Sequence, residues 1–174
     1  IGLTVITAIA STIGVGSITI LNLATNLQYV PVSVIGISLA TAVFPRLSSH
    51  ASANEMADFR QKLNQSFFST FWMVGFAAVI IFIFRNQIVG ILFRVGAFGS
   101  DDQALTASVL GIFMFSIVAQ SLMHIMTRAF YALQNTKTPF WIAIFSVALN
   151  IALSATLTFN FHAGVRGLAI ATAI

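Results

Sequence analysis

The chain has no cysteine, only three prolines and only four acidic side chains in 174 residues. Without cysteine there is no disulfide, no thiolate metal site and no cysteine nucleophile. The acids are Glu55, Asp58, Asp101 and Asp102. All four stand between the apolar runs, so no acid–base pair is available inside a membrane-embedded site. Neither a phosphate-cradling glycine loop nor a metal-ligand spacing is visible. An enzyme is therefore a poor reading, and no cofactor or metal is expected. Charged residues of every kind make up 7% of the chain, against about 25% in soluble domains. Lysine and arginine are scattered singly, so the formal charge of +4 fits basic residues at cytoplasmic helix ends and not nucleic-acid binding.

Apolar residues fill the space, at 58% of the chain. They form runs near the ~20 residues that carry a helix across a bilayer core, so lipid is the solvent for most of the surface. The runs are long and do not alternate, which excludes strands. Six segments follow: Ile1–Ile13, Ser17–Phe44, Ser66–Phe84, Ala104–Thr127, Pro139–Phe159 and Gly164–Ile174. The first and last are cut short and the other four are complete, so the expectation is an all-α polytopic transmembrane bundle, one domain over residues 1–174, and an internal piece of a longer chain. The connection "GVGS" is a hairpin turn that makes the first two segments antiparallel neighbours.

Orientation comes from basic loop residues. Arg46, Arg60, Lys62, Arg128 and Lys137 share one side, while Arg85, Arg94 and Arg166 share the other. The positive-inside rule places the first group in the cytoplasm. Within the loop 45–65, Ser52 and Glu55 have capping-box spacing ahead of Met56, Phe59 and Leu63 on one helical face, which predicts a short helix lying on the membrane surface over about 53–65. Asp101 and Asp102 suit the start of the fourth segment, where negative charge meets a helix N-terminus. His50 and His162 are expected to be solvated.

Polar side chains recur inside three spans. In the second segment Asn22, Asn26, Tyr29 and Ser33 share one helical face. Unpaired in hydrocarbon, such groups cost several kcal/mol each by order of magnitude, so the face must look at other helices or a wet cavity. Pro31 removes a backbone donor and Gly36 adds a second soft point, which predicts a bend or interruption between Asn26 and Gly36 and makes these two the candidate hinge. In the fourth segment Ser116, Gln120, His124 and Arg128 recur every fourth residue. A cavity is favoured there, because an intramembrane histidine and a flanking arginine are costly unless used. His124 reads equally as an interfacial, solvated histidine or as a proton-responsive one, and Arg128 as a cavity residue or one snorkelling to headgroups. Ser146, Asn150, Ser154 and Thr158 in the fifth segment are better read as contacts between helices.

Three strings carry a family resemblance: "QYVPVSVIGISLATAVFPRLSSHAS" from Gln28 to Ser52, "ILFRVGAFGSDD" from Ile91 to Asp102, and "RAFYALQNTKTP" from Arg128 to Pro139. In order and separation they resemble the second half of the MurJ/MviN family of bacterial lipid II flippases, within the multidrug/oligosaccharidyl-lipid/polysaccharide exporter superfamily. The resemblance implies the seventh to twelfth helices of a two-lobed carrier in the inner membrane. Such a carrier moves an undecaprenyl-linked peptidoglycan precursor between leaflets by alternating access. The partners implied are that lipid and the surrounding membrane lipids, with room for coupling to a proton or another ion. The resemblance also implies that the second segment is broken and lines the cavity, which makes Asn22, Thr25, Asn26, Tyr29 and Ser33 candidate lining residues; the fourth-segment stripe adds Gln120, His124 and Arg128 as candidates on its own grounds. The family commonly has an acid and a base after the alanine matching Ala24, where this chain has Thr25 and Asn26. Asparagine offers a neutral amide in place of a guanidinium suited to pyrophosphate. Asn135 likewise stands where the third string usually has an acid. Alternatives are another exporter of the superfamily, for polysaccharide lipid or drugs, and a membrane scaffold without transport.

Overall fold

In the computed structural model, residues 16–93, 99–159 and 169–170 are described. Their regular structure is helical throughout: α1 (Ser17–Pro31), a π-helical stretch (Val32–Ile37), α2 (Ser38–Ser52), α3 (Met56–Phe93), α4 (Ser100–Ala132) and α5 (Lys137–Phe159). Four stretches are long and apolar enough to cross a bilayer, namely Ile18–Ser52, Met56–Phe93, Ser100–Ala132 and Lys137–Ser154. The first segment expected from the sequence lies outside the described residues, as do most of the sixth and Arg94, His162 and Arg166.

The helices begin and end for local reasons. Gly16, at φ +88°, turns the chain into α1, and its carbonyl accepts the Ile20 N–H at 3.0 Å. At the end of α2, Asn54 adopts φ +60°. The Asn54 N–H then bonds Ala51 O at 3.2 Å and the Glu55 N–H bonds His50 O at 2.9 Å, the paired bonds of a Schellman motif. α4 ends the same way. Gln134 sits at φ +56°, with Gln134 N–H on Tyr131 O and Asn135 N–H on Phe130 O, both at 2.9 Å. The next helix is capped at once: Asn135 Oδ1 accepts the Thr138 N–H at 3.2 Å. At the start of α4 the Asp102 carboxylate reaches back to the Gly99 N–H at 3.2 Å, the role the sequence suggests for this acid pair.

The region 45–65 differs from its expectation as a loop with a surface helix. Residues to Ser52 belong to α2, a three-residue turn follows, and α3 then runs without a break from Met56 to Phe93. The Ser52–Glu55 capping box does not form. Ser52 Oγ donates instead to Ser48 O at 2.7 Å, and the Glu55 carboxylate meets His50 Nδ1 at 2.8 Å. Phe59 is buried with Leu47, Ala129 and Ala132, and Leu63 packs against the same cluster. The Phe59 and Leu63 part of the apolar face read as lying on lipid is thus covered by α2 and α4, while Met56 stays exposed. Alanines on α4 at this level leave room for the Phe59 ring.

The chain divides into two compact units. The first comprises residues up to Gln28, Val79–Ser116 and residues from Ile144 onward. Its core includes Leu21, Ala24, Val89, Leu110 and Phe113. The second comprises Tyr29–Ala78 and Ile117–Ala143. Within it Phe68, Trp72 and Phe76 stand outward from α3, each at least 60% exposed, the surface expected of a helix solvated by lipid.

Candidate functional site

Along α1 the two faces are of opposite character. Ile20, Leu21, Ala24 and Gln28 are buried, at three- and four-residue spacing. Asn22, Asn26, Tyr29 and Ser33 are all exposed. The polar stripe therefore points away from the face that α1 packs. Thr25 sits at its flank, half-buried, and its hydroxyl donates to Leu21 O at 2.7 Å. Its hydrogen is thereby committed to its own helix, while the Asn22 and Asn26 amides stay on the open side.

The interruption expected between Asn26 and Gly36 takes the form of the π-helix Val32–Ile37, directly after Pro31. Pro31 is helical, at φ −65° and ψ −34°, but has no N–H to offer the Leu27 carbonyl. Hydroxyls bond carbonyls just before and within the widened turn. Ser33 Oγ donates to Val30 O at 3.1 Å, and Ser38 Oγ reaches Ser33 O, five residues back, at 3.2 Å. Such widened turns are rare and frequently occur at functional sites. Ser38 carries no signal in the sequence beyond its distance from Ser33.

Gly36 faces α4. A Cβ built on it would lie 2.8 Å from both Cβ and Oγ of Ser121 and 3.0 Å from Ser121 Cα. The missing side chain is what lets the widened turn touch α4. Ser121 is fully buried, and its hydroxyl has no hydrogen-bond partner among the described residues.

On α4, Gln120, His124 and Arg128 are each half-buried, whereas Ser116 is buried and donates to Phe113 O at 2.9 Å. The Arg128 guanidinium lies 5.6 Å from the centre of the Phe44 ring. On α5, Ser146 is exposed, Asn150 half-buried and Ser154 fully buried; the Thr158 side chain lies outside the described residues. One grouping was missed in the sequence. His50, Glu55 and Asp58 present ligand-type atoms within 4.8 Å of one another at the α2–α3 turn. The turn at Asn54 brings them together, so spacing along the chain does not reveal it.

Four bilayer-length helical stretches, one of them carrying a π-helical segment and an outward polar stripe, define the class, a multi-pass membrane protein. The particular family is also clear: the chain belongs to the family described as lipid II flippase MurJ, whose model matches residues 1–174. It is 30% identical over 161 residues to the "Probable lipid II flippase MurJ" of Bdellovibrio bacteriovorus, covering 92% of this chain and 30% of that protein. It is 26% identical over 166 residues to the protein of that name from Thermotoga maritima, covering 95% and 34%. A solved structure, "Lipid II flippase MurJ, inward closed conformation", superposes with a TM-score of 0.87 at 26% identity, over 99% of this chain and 36% of the other. The chain spans about a third of the length of the curated relatives it matches.

Proposed function

We propose that the chain forms most of the C-terminal lobe of a flippase in the bacterial inner membrane. The cargo is undecaprenyl-pyrophosphate-linked muropeptide, lipid II, carried between leaflets by alternating access. The observation that carries this reading is the open polar face of α1, with Asn22 and Asn26 turned away from the buried Leu21, Ala24 and Gln28. Amides in that position need polar neighbours or water, because lipid offers neither donors nor acceptors in its core. In this reading Asn22, Thr25, Asn26, Tyr29 and Ser33 line the cavity, with Gln120, His124 and Arg128 contributing from α4. Pro31 and Gly36 frame the hinge. The neutral pair Thr25 and Asn26 leaves recognition of the pyrophosphate charge to residues elsewhere in the full-length protein. His124 is the residue through which a proton would couple.

The test uses the full-length protein in cells depleted of their own flippase, at matched expression. Asn26→Arg should sustain growth better than Asn26→Leu, since arginine stays charged where water or phosphate reaches it. Leucine leaves neighbouring polar groups unpaired, at about 1–3 kcal/mol. Equal growth, or better growth with leucine, assigns Asn26 to ordinary contact between helices.

A further inference from the structure

Arg85 stands inside α3, between the apolar run Ser66–Phe84 and a second apolar stretch, Ile88–Phe93. The sequence reads it as the end of a span, yet the helix continues. A guanidinium keeps its charge in a protein and is costly near hydrocarbon unless something pairs with it. Arg85 is held firmly but paired incompletely. Its Nη1 donates to Phe82 O at 2.7 Å, and its guanidinium carbon lies 4.4 Å from the centre of the Phe82 ring. That ring meets Phe115 of α4 edge-on, with centroids 5.7 Å apart. Gly111 gives the stem its room, since a Cβ there would stand 3.3 Å from Arg85 Cδ.

Among the described residues Arg85 forms no ion pair. All four acids of the chain are described, and the Asp102 carboxylate is taken by the Gly99 N–H. Of five guanidinium N–H donors one is used, so the fork still has capacity for an anion. A recess of about 310 Å³ opens beside it, lined by Phe82, Arg85, Ser108, Gly111, Ile112 and Phe115. Depth identifies the anion. The run Ser66–Phe84 rises about 29 Å as a helix, close to the ~30 Å of a bilayer core, so the Arg85 backbone falls near the far edge of that core. The guanidinium, folded back one turn onto Phe82 O, sits just inside it, where lipid phosphate is the anion the bilayer supplies.

We propose that Arg85 and this recess bind the phosphate of a membrane-lipid headgroup, on the bilayer face opposite the α2–α3 turn. The planar fork suits two phosphate oxygens, while the Phe82 face and the Gly111 notch hold it in one orientation. The site is separate from the polar stripes and does not depend on the flippase reading, because any bilayer supplies the ligand.

The experiment follows thermal unfolding of the purified full-length protein in detergent, as wild type, Arg85→Lys and Arg85→Gln. Each is titrated with phosphatidylglycerol, with diacylglycerol lacking the phosphate, and with inorganic phosphate. The expected result is that phosphatidylglycerol raises the wild-type midpoint and diacylglycerol does not. Arg85→Gln should need about tenfold more phosphatidylglycerol for the same rise, the loss of one charge-assisted contact. Arg85→Lys, which keeps the charge but not the fork, should fall between them, and it carries the comparison should the glutamine variant not fold. Inorganic phosphate matching the lipid in wild type and failing in the variants would overturn the lipid as source and leave a free-anion site. Two results overturn the site itself. One is an identical lipid response in all three proteins. The other is a lipid-independent drop in the variants, which points to a carboxylate elsewhere in the full-length chain.

Discussion

Gly36 leaves no room for a side chain against Ser121: a methyl group on Gly36 would stand 3.0 Å from Ser121 Cα and 2.8 Å from its Cβ, atoms that move only with the α4 backbone. Backbone cannot swing aside as a long side chain can, so Gly36→Ala must push the π-helical turn off α4. We expect a loss of about 1–3 kcal/mol, read as a lower thermal midpoint of the full-length protein. Ser121→Gly on the Gly36→Ala background should recover part of it, because two of the three close atoms disappear, whereas Ser121→Ala should recover less. Additive single effects would show that the contact does not set the packing.

Pro31 separates stability from motion. Replacing it with alanine restores a donor opposite the Leu27 carbonyl and removes the ring that blocks it, so the helix should be no less stable and its amides near Pro31 should exchange more slowly. If the interruption is a hinge, complementation should fall even though the protein is at least as stable. A destabilised Pro31→Ala protein that still complements fully would leave the proline as a packing residue.

Gln134 occupies a left-handed position, φ +56°, that glycine fills without strain. Gln134→Gly should therefore stabilise the α4–α5 connection, by up to about 1 kcal/mol, provided the Schellman bonds to Tyr131 O and Phe130 O are kept. A lower midpoint would mean that the glutamine side chain matters more than its backbone.

Asn135 caps α5 with a neutral amide. Its side chain accepts the Thr138 N–H and donates to Thr138 Oγ1 at 3.0 Å, so its oxygen does what an aspartate would do at a helix start. Asn135→Asp should change stability little, while Asn135→Ala should cost about 0.5–2 kcal/mol. Calorimetric or fluorescence midpoints of the two variants should separate clearly.

What could be read from the sequence follows from what kind of signal each feature leaves. The four spans and the break beside Pro31 are properties of local composition, and they stand in the structure at Ile18–Ser52, Met56–Phe93, Ser100–Ala132 and Lys137–Ser154. The partner of an apolar face is a different matter. Phe59 and Leu63 have the same spacing whether lipid or protein covers them, and only the fold reveals Leu47, Ala129 and Ala132 on the other side. Arg85 misled for a related reason: the run Arg85-Asn86-Gln87 looks like a membrane exit, but the trio contains no helix breaker. The arginine is accommodated by Phe82, one turn back. For the candidate cavity, the spacing of Asn22, Asn26, Tyr29 and Ser33 was legible. Their exposure opposite Ala24 and Gln28 could only be seen once the packed face was known.

The orientation of the bundle can be tested because this stretch has no cysteine of its own. Ser49, in the last turns of α2, and Ser100, at the start of α4, are both exposed, so a thiol at either place is open to reagent. Any cysteines elsewhere in the full-length protein are first replaced. The basic side chains Arg46, Arg60, Lys62, Arg128 and Lys137 gather near the ends of α2 and α4 and the starts of α3 and α5, the pattern of a cytoplasmic face. Ser49→Cys should therefore resist a membrane-impermeant maleimide in intact spheroplasts and react once the membrane is opened. Ser100→Cys, at the other end of α4, should react in both. A Ser49→Cys protein that labels in intact spheroplasts, with Ser100→Cys protected, inverts the bundle and moves the Arg85 recess to the cytoplasmic leaflet.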